Sequence, residues 1–133
     1  METQQAIQLQ EILINLTEEN FEATLDLLLK SNYIKLKRSL FLLVHNFFII
    51  SECRPQNMMI LSHLFVSLYS SISMETNALK YLPQALHEEC RNNRYLPIYF
   101  FYCLMKSGLP INLIISCLID QFENSPEKLL INQ

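Results

Sequence analysis

The sequence predicts an all-α fold: an irregular stack of antiparallel helical hairpins, α-solenoid-like or a compact bundle, with six to eight helices. Glycine occurs once in 133 residues, so the chain lacks the positive-φ positions that hairpin turns and phosphate-binding loops need. Apolar residues recur at helical spacing along most of the chain. The connections between these segments are about two to five residues long, which favours antiparallel neighbours.

The first two helices are predicted from the N-terminal third. A helix of moderate amphipathicity covers residues 3–15. Thr17 is the predicted N-cap of the second helix, with Glu18 and Glu19 in its first turn, where the helix dipole favours acids. Lys30 ends that helix at the position where the dipole favours a cation.

The third helix is predicted over residues 33–50, and it carries an apolar stripe so wide that it must contact neighbours on more than one side. The stripe consists of Leu36, Leu40, Leu43, Val44, Phe47 and Phe48. An Arg54–Pro55 turn follows, and Pro55 opens the next helix. The Arg54 side chain is expected to bond the unpaired carbonyls that end the third helix, a structural role that we favour over contact with a partner.

The second half is divided by prolines and by the glycine. Residues 74–91 form a helical stretch in which Pro83 either opens a second short helix or kinks one longer helix. Pro97 opens the next helix, and Gly108 is its predicted positive-φ C-cap. Pro110 then starts a helix that runs to about residue 122.

Length, charge and the distribution of apolar residues limit the classes of protein to which the chain can belong. The length suits one helical domain, residues 1–133. The formal charge is −3, whereas nucleic-acid binding usually needs a basic excess. The longest apolar stretch, residues 40–50, is about half a membrane span. With no basic leader at its start, the chain is expected to be intracellular and cytoplasmic.

Catalytic and metal-binding residues are not predicted. His87 and Cys90 in HEEC have the spacing of two metal ligands on one helix face, but a zinc site needs a second such pair. His45 is expected to be a hydrogen-bonded core histidine, and the acids are expected at helix starts and on solvent faces. Serines and cysteines are present, but no such nucleophile sits at a turn flanked by glycines. We therefore expect a non-enzyme with no metal and no cofactor.

The four cysteines are expected to remain thiols. They are Cys53, Cys90, Cys103 and Cys117. They lie far apart in apolar helical contexts, unlike the dense frameworks of small secreted domains. The sequence therefore predicts largely buried thiols in a reducing compartment.

Three groups of residues are candidates for contact with a partner. The densest basic cluster is Lys35, Lys37 and Arg38, at a helix start where the dipole disfavours cations. Arg91 and Arg94 flank an Asn-Asn turn. A dense aromatic segment includes Tyr95 and Tyr99, and tyrosines are enriched at interface centres. The alternatives are a solvated face for the basic groups and a helix buried between two neighbours for the aromatic one.

Two segments resemble the helical N-terminal regions of ankyrin-repeat proteins from protists, notably trichomonads. ISECRPQNMMILSHLFVSL is similar to an element in which an apolar helix ends in an Arg-Pro turn. YLPIYFFYCLMKSGLPINLIISCLI is similar to the hairpin that follows. The ankyrin signature itself, Thr-Pro-Leu-His, is absent from the chain. The resemblance implies a protein-interaction role without catalysis.

We therefore expect a non-catalytic protein–protein interaction module. Its partner is a protein of unknown identity, and assembly into a homo-oligomer is left open. One alternative is a viral or parasite effector that mimics an adaptor and takes a host helix in a hydrophobic groove. Another is a small helical enzyme, metal-dependent or hydrolytic.

Overall fold

The computed structural model describes the backbone of residues 2–71, 78–92 and 98–123, and the side chains of residues 4–71, 81–91 and 99–119. Seven α-helices and no strand occur in these described residues. They are α1 (Glu2–Ile14), α2 (Phe21–Lys30), α3 (Lys37–Cys53), α4 (Met58–Ser71), α5 (Ala78–Asn92), α6 (Ile98–Ser107) and α7 (Ile111–Glu123). The prediction of an all-α fold with six to eight helices is confirmed.

The helices pack in two layers that follow chain order. One layer consists of α1, α3, α5 and α7, and each of these helices packs against the next. The other layer consists of α2, α4 and α6, packed in the same manner. Successive hairpins therefore stack on one another, as in an α-solenoid.

α3 joins the two layers, as its wide apolar stripe predicts. It packs against α1 and α5 within its own layer and also contacts α4. Phe47 meets Phe65 of α4 edge to face, with ring centroids 5.3 Å apart. The Phe48 ring lies 5.1 Å from Phe100 and 5.8 Å from Phe101, both in α6. Edge-to-face and tilted pairs at these distances stabilise a core beyond the area they bury.

Polar side-chain pairs cross the junctions between neighbouring helices in the layer of α1, α3, α5 and α7. From α1 to α7 these pairs are Gln10 with Asn46, His45 with Glu89, and His87 with Ser116, with shortest polar-atom distances of 2.9, 2.9 and 3.3 Å. In the other layer, the Ser62 and Ser107 hydroxyl oxygens lie 3.1 Å apart between α4 and α6.

α2 begins one turn later than predicted, so the assignment of Thr17 as its N-cap is wrong. Asn20 Oδ1 accepts a hydrogen bond from the Thr17 N–H at 2.7 Å, and Thr17 Oγ1 accepts one from the Asn20 N–H at 3.3 Å. These reciprocal bonds hold residues 17–20 in a separate turn. The helix then starts at Phe21, with Glu22 as the acid in its first turn.

α3 is also displaced from its predicted bounds of residues 33–50. Ser31 Oγ accepts a hydrogen bond from the Tyr33 N–H at 3.2 Å and starts a 3₁₀ helix, Asn32–Ile34. Leu36 is then extended, with φ −112° and ψ 136°. Its side chain is 60% exposed, so its place in the buried stripe is wrong.

The Arg54–Pro55 turn is built from main-chain bonds. The Arg54 N–H bonds the Ile50 carbonyl at 2.8 Å, and the Asn57 N–H bonds the Arg54 carbonyl at 2.9 Å. Pro55 is the first residue of a 3₁₀ helix, Pro55–Asn57, that leads into α4. The Arg54 side chain is exposed, and within the described residues it is the backbone, not the guanidinium, that bonds Ile50. α3 itself continues to Cys53.

Pro83 lies inside α5, which runs from Ala78 to Asn92. Of the two predicted alternatives, the structure has the single longer helix. The predicted start at residue 74 and the predicted helix opening at Pro97 lie outside the described residues.

The single glycine ends α6 as predicted. Gly108 has φ 109°. Its N–H bonds the Met105 carbonyl at 3.1 Å, and the Leu109 N–H bonds the Leu104 carbonyl at 3.0 Å. These two bonds define a Schellman motif, in which a residue with positive φ closes the last turn of a helix.

Pro110 leads into α7, close to the predicted helix start. Its carbonyl accepts hydrogen bonds from the Leu113 and Ile114 N–H groups at 3.1 and 3.3 Å. The missing N–H of proline costs nothing at this position, since a helix start leaves its first N–H groups unbonded.

Gly108→Ala is expected to lower the free energy of unfolding by about 1–2 kcal/mol, because an L residue is strained at this φ. An added Cβ would lie 3.9 Å from Val66 Cγ1, an ordinary contact, so the loss reports backbone strain rather than a clash. Urea unfolding measures it. The exposed Asn112→Ala serves as the control, with an expected change within about 0.5 kcal/mol; equal losses in both variants would contradict the prediction.

Candidate functional site

α6 exposes a stripe of large side chains on the side opposite its core face. Tyr99 is 56% exposed and Tyr102 is 45% exposed. Their rings stack with centroids 5.8 Å apart. Phe100 and Phe101, between them in sequence, are buried in the core. The aromatic segment is therefore divided between a core face and a solvent face, and α6 is not covered on both sides within the described residues.

α7 carries a second exposed stripe, made entirely of aliphatic side chains. Ile111, Ile115 and Ile119 recur every four residues and are 48–55% exposed. The opposite face, with Ile114 and Cys117, is buried, in the helix that packs against α5. α7 is therefore apolar on two faces, and the described structure covers only one of them.

The two stripes lie on consecutive helices, each the last described helix of its layer. We call them together the α6–α7 surface: Tyr99, Tyr102, Met105, Ile111, Ile115 and Ile119. The sequence predicts Tyr99 as a candidate residue for contact with a partner, but it does not predict the exposed isoleucines. The uncharged run INLIISCLI was the available signal, but it does not say which of its faces is covered.

A groove lies at the other end of the second layer, between the starts of α2 and α4. It is open to solvent and has a volume of about 770 Å³. We call it the acidic groove because its charged carboxylates are Glu18 and Glu22. Its apolar part includes Phe21, Met59 and Ile60, with Met59 half exposed.

The fold gives the three residues of the basic cluster, Lys35, Lys37 and Arg38, different surroundings. Lys37 Nζ lies 5.8 Å from the centroid of the Phe41 ring and 5.2 Å from that of Tyr81 in α5. These are cation–π contacts that connect the start of α3 to α5. Lys35 is exposed just after the 3₁₀ helix. Arg38 lines a cleft between α1, α3 and α5.

That cleft contains a buried carboxylate that sequence reasoning placed in solvent. Glu89 is only 8% exposed, and its two carboxylate oxygens lie 3.0 and 2.9 Å from His45 Nδ1. The His45 side chain is 49% exposed. His45 is therefore hydrogen-bonded, as predicted, but it is not a core residue. The prediction that the acids lie at helix starts and on solvent faces is wrong for Glu89.

The chemistry of the cleft is limited by its lining. The cleft encloses about 270 Å³. A carboxylate bonded to Nδ1 can orient an imidazole for proton transfer at Nε2. The lining includes Arg38 and Gln5, but none of the described lining residues is a serine, threonine or cysteine. A nucleophilic reaction there would need water as the nucleophile.

The remaining histidines take part in packing between helices. His87 Nε2 contacts Ser116 Oγ of α7, while Cys90 of the HEEC segment is buried. The His63 ring lies 5.2 Å from the Phe21 ring, between α4 and α2. Within the described residues, no group of three or more His, Cys, Asp or Glu side chains is placed to hold a metal ion.

Cys53 differs from the other cysteines. None of the four forms a disulfide, and Cys90, Cys103 and Cys117 are buried. Cys53 is exposed, so its predicted burial is wrong. Burial raises the pKa of the Cys103 thiol, and a side-chain hydrogen bond with Tyr99 opposes that rise.

Of the other candidates, Arg91 is exposed in the last turn of α5. Arg94 and Tyr95 lie outside the described residues. The structure therefore does not bring the sequence candidates together on one described surface: Lys35, Lys37 and Arg38 are at the start of α3, and Tyr99 is on α6.

The geometry defines a two-layer helical stack with two surface regions rich in exposed or partly exposed apolar side chains. No protein-family model, curated protein or solved structure matches the chain. None of the described helices is long and apolar enough to cross a membrane. The resemblance to the N-terminal regions of protist ankyrin-repeat proteins stays a prediction.

Glu89→Ala is expected to lower the free energy of unfolding by about 1–3 kcal/mol, because it removes a buried, hydrogen-bonded group between α3 and α5. Glu88→Ala, an exposed neighbour on the same helix, is the matched control and should change stability by no more than about 0.5 kcal/mol. Urea unfolding of both variants provides the comparison. A Glu89 variant as stable as its control would show that the pair contributes nothing to the junction.

Native protein is expected to release one equivalent of thionitrobenzoate rapidly from Ellman's reagent, because Cys53 alone among the cysteines is exposed. The other three thiols should react only on unfolding. Cys53→Ser should abolish the rapid phase and leave the slow phase unchanged. Rapid reaction of more than one thiol would contradict the burial of the other cysteines.

Proposed function

We propose that the chain is a non-catalytic protein-interaction module, and that it binds an apolar helical surface of a partner protein through the α6–α7 surface. The observation that carries the proposal is the second apolar face of α7. A helix that is apolar on two sides is normally covered on both. Contiguous exposed apolar side chains on a folded protein commonly mark a binding site.

The spacing of the isoleucines favours a helix as the partner element. Side chains four residues apart form a ridge along a helix, and such a ridge packs into the groove between side chains of a facing helix. No charged residue occurs between Ile111 and Ile119. The partner side chains that face this stripe of α7 are therefore expected to be apolar, and Tyr99 and Tyr102 on α6 supply aromatic area of the kind common at interface centres.

The proposal includes a family and a cellular location for the chain. Membership among the helical N-terminal domains of protist ankyrin-repeat proteins would be consistent with a protein-binding role. Cysteines that form no disulfide suit a reducing compartment, which supports an intracellular, cytoplasmic location.

The enzyme alternative draws its support from the His45–Glu89 pair. An oriented imidazole is one part of a hydrolytic site, but its described surroundings supply no side-chain nucleophile. Binding through the exposed side chains of α6 and α7 needs no nucleophile, so we favour binding over catalysis. The effector alternative, in which a host helix occupies a groove, uses the same physical mode of recognition.

Ile115→Asp is expected to weaken binding of the partner by at least about thirtyfold, because a carboxylate would be buried without a counter-charge at the centre of the interface. Gln84→Glu is the matched control, since it adds the same charge at an exposed position on α5, outside the α6–α7 surface. The partner would be captured from native extract with wild type, then identified, purified and titrated by calorimetry against both variants.

Two results would contradict the proposal. One is equal affinity of the purified partner for the two variants, which would place the contact elsewhere. The other is a wild-type dimer in light scattering that Ile115→Asp alone dissolves, which would show that the α6–α7 surface pairs two copies of the chain. Circular dichroism of the variants would establish that the helices are intact.

A further inference from the structure

The acidic groove is an open depression in the protein surface. It lies where the turn of residues 17–20 meets the 3₁₀ helix before α4. Buried Leu16 and partly buried Ile60 contribute to its lining, and Met59 extends from it half exposed. The His63 ring packs against Phe21 across the two helices. An apolar side chain of a ligand would therefore contact other apolar groups in the groove.

The ionisable residues that line the groove are Glu18, Glu22 and His63. Glu18 and Glu22 line it, and no lysine or arginine is among its described lining residues. The nearest cation on α2 itself, Lys30, forms an ion pair with Asp26 at 2.9 Å. It lies two turns from Glu22 along the helix. The two glutamates are both exposed, so they are accessible to a ligand.

We propose that the acidic groove binds a basic amphipathic segment of a protein, separately from the α6–α7 surface. Apolar side chains of the segment would lie against Phe21, Met59 and Ile60, and its lysines or arginines would pair with Glu18 and Glu22. Charge-assisted bonds from a cation to a carboxylate are among the stronger polar contacts. Nucleic acids and anionic lipid surfaces are disfavoured, because they carry the same sign of charge as the rim.

The test uses a synthetic amphipathic peptide with leucines along one face and lysines along the other. The matched probe has the same leucines with every lysine replaced by glutamate. Fluorescence anisotropy of the labelled peptides, with the full chain at low and high salt, measures affinity. The basic peptide is expected to bind at least about tenfold more tightly than its acidic counterpart, and salt should reduce the difference.

The rim is tested with a double variant, Glu18→Gln with Glu22→Gln. It should weaken binding of the basic peptide by about tenfold, since two charge-assisted contacts are lost. The control is Glu11→Gln with Glu88→Gln, which changes the net charge equally at exposed positions outside the groove lining. Its affinity should stay within about twofold of wild type. Circular dichroism and a urea unfolding curve check that each variant is folded.

Three results would overturn the inference. They are equal affinity for the two peptides, equal effects of the two double variants, and unchanged affinity after loss of Glu18 and Glu22. Ile115→Asp should leave binding of the basic peptide unchanged, because Ile115 is on α7 and outside the groove lining. Failure at the groove can therefore be distinguished from failure at the α6–α7 surface.

Discussion

The packing of α3 between the two layers is the constraint on which the rest of the structure depends. α3 contacts α1 and α5 on its own side, while Phe47 and Phe48 reach α4 and α6 on the other. An aromatic side chain fills a large volume in a fixed shape, and a close-packed interior tolerates little displacement of it. The positions of four helices are therefore set by one. The α6–α7 surface and the acidic groove lie on either side of this centre.

Apolar packing alone leaves the axial position of neighbouring helices weakly specified, since one leucine can replace another in a groove. The polar pairs can supply that specification. Gln10 with Asn46 and His45 with Glu89 can form only when the helices are aligned at one level. Buried polar contacts act in this way in some proteins, where their value is specificity more than stability. In the first layer, the pairs at the α1–α3 and α3–α5 junctions are partly buried, so they can fix the relative position of these helices while apolar packing holds them together.

Sequence periodicity predicted the helices well, because each depends on the spacing of its own apolar residues. Local capping was less predictable. Thr17 has the chemistry of an N-cap, but its bonds with Asn20 formed a turn instead. Burial was least predictable, since it depends on which neighbour covers a face. Glu89 is buried because α3 packs over it, and Ile115 is exposed because no described helix does. The acidic groove combines residues about forty positions apart, beyond the reach of a local pattern.

Gly108 has a consequence for how the chain can vary. Among the described residues it is the only one with positive φ. Everywhere else in those segments the backbone conformation is compatible with a β-carbon, so side-chain packing and hydrogen bonding, rather than chain geometry, limit substitution. Within the described residues, a saturation scan is expected to show one position, Gly108, at which backbone strain penalises nearly every replacement regardless of size or polarity. In the described part of the chain, the backbone therefore restricts substitution most strongly at the turn that leads into α7.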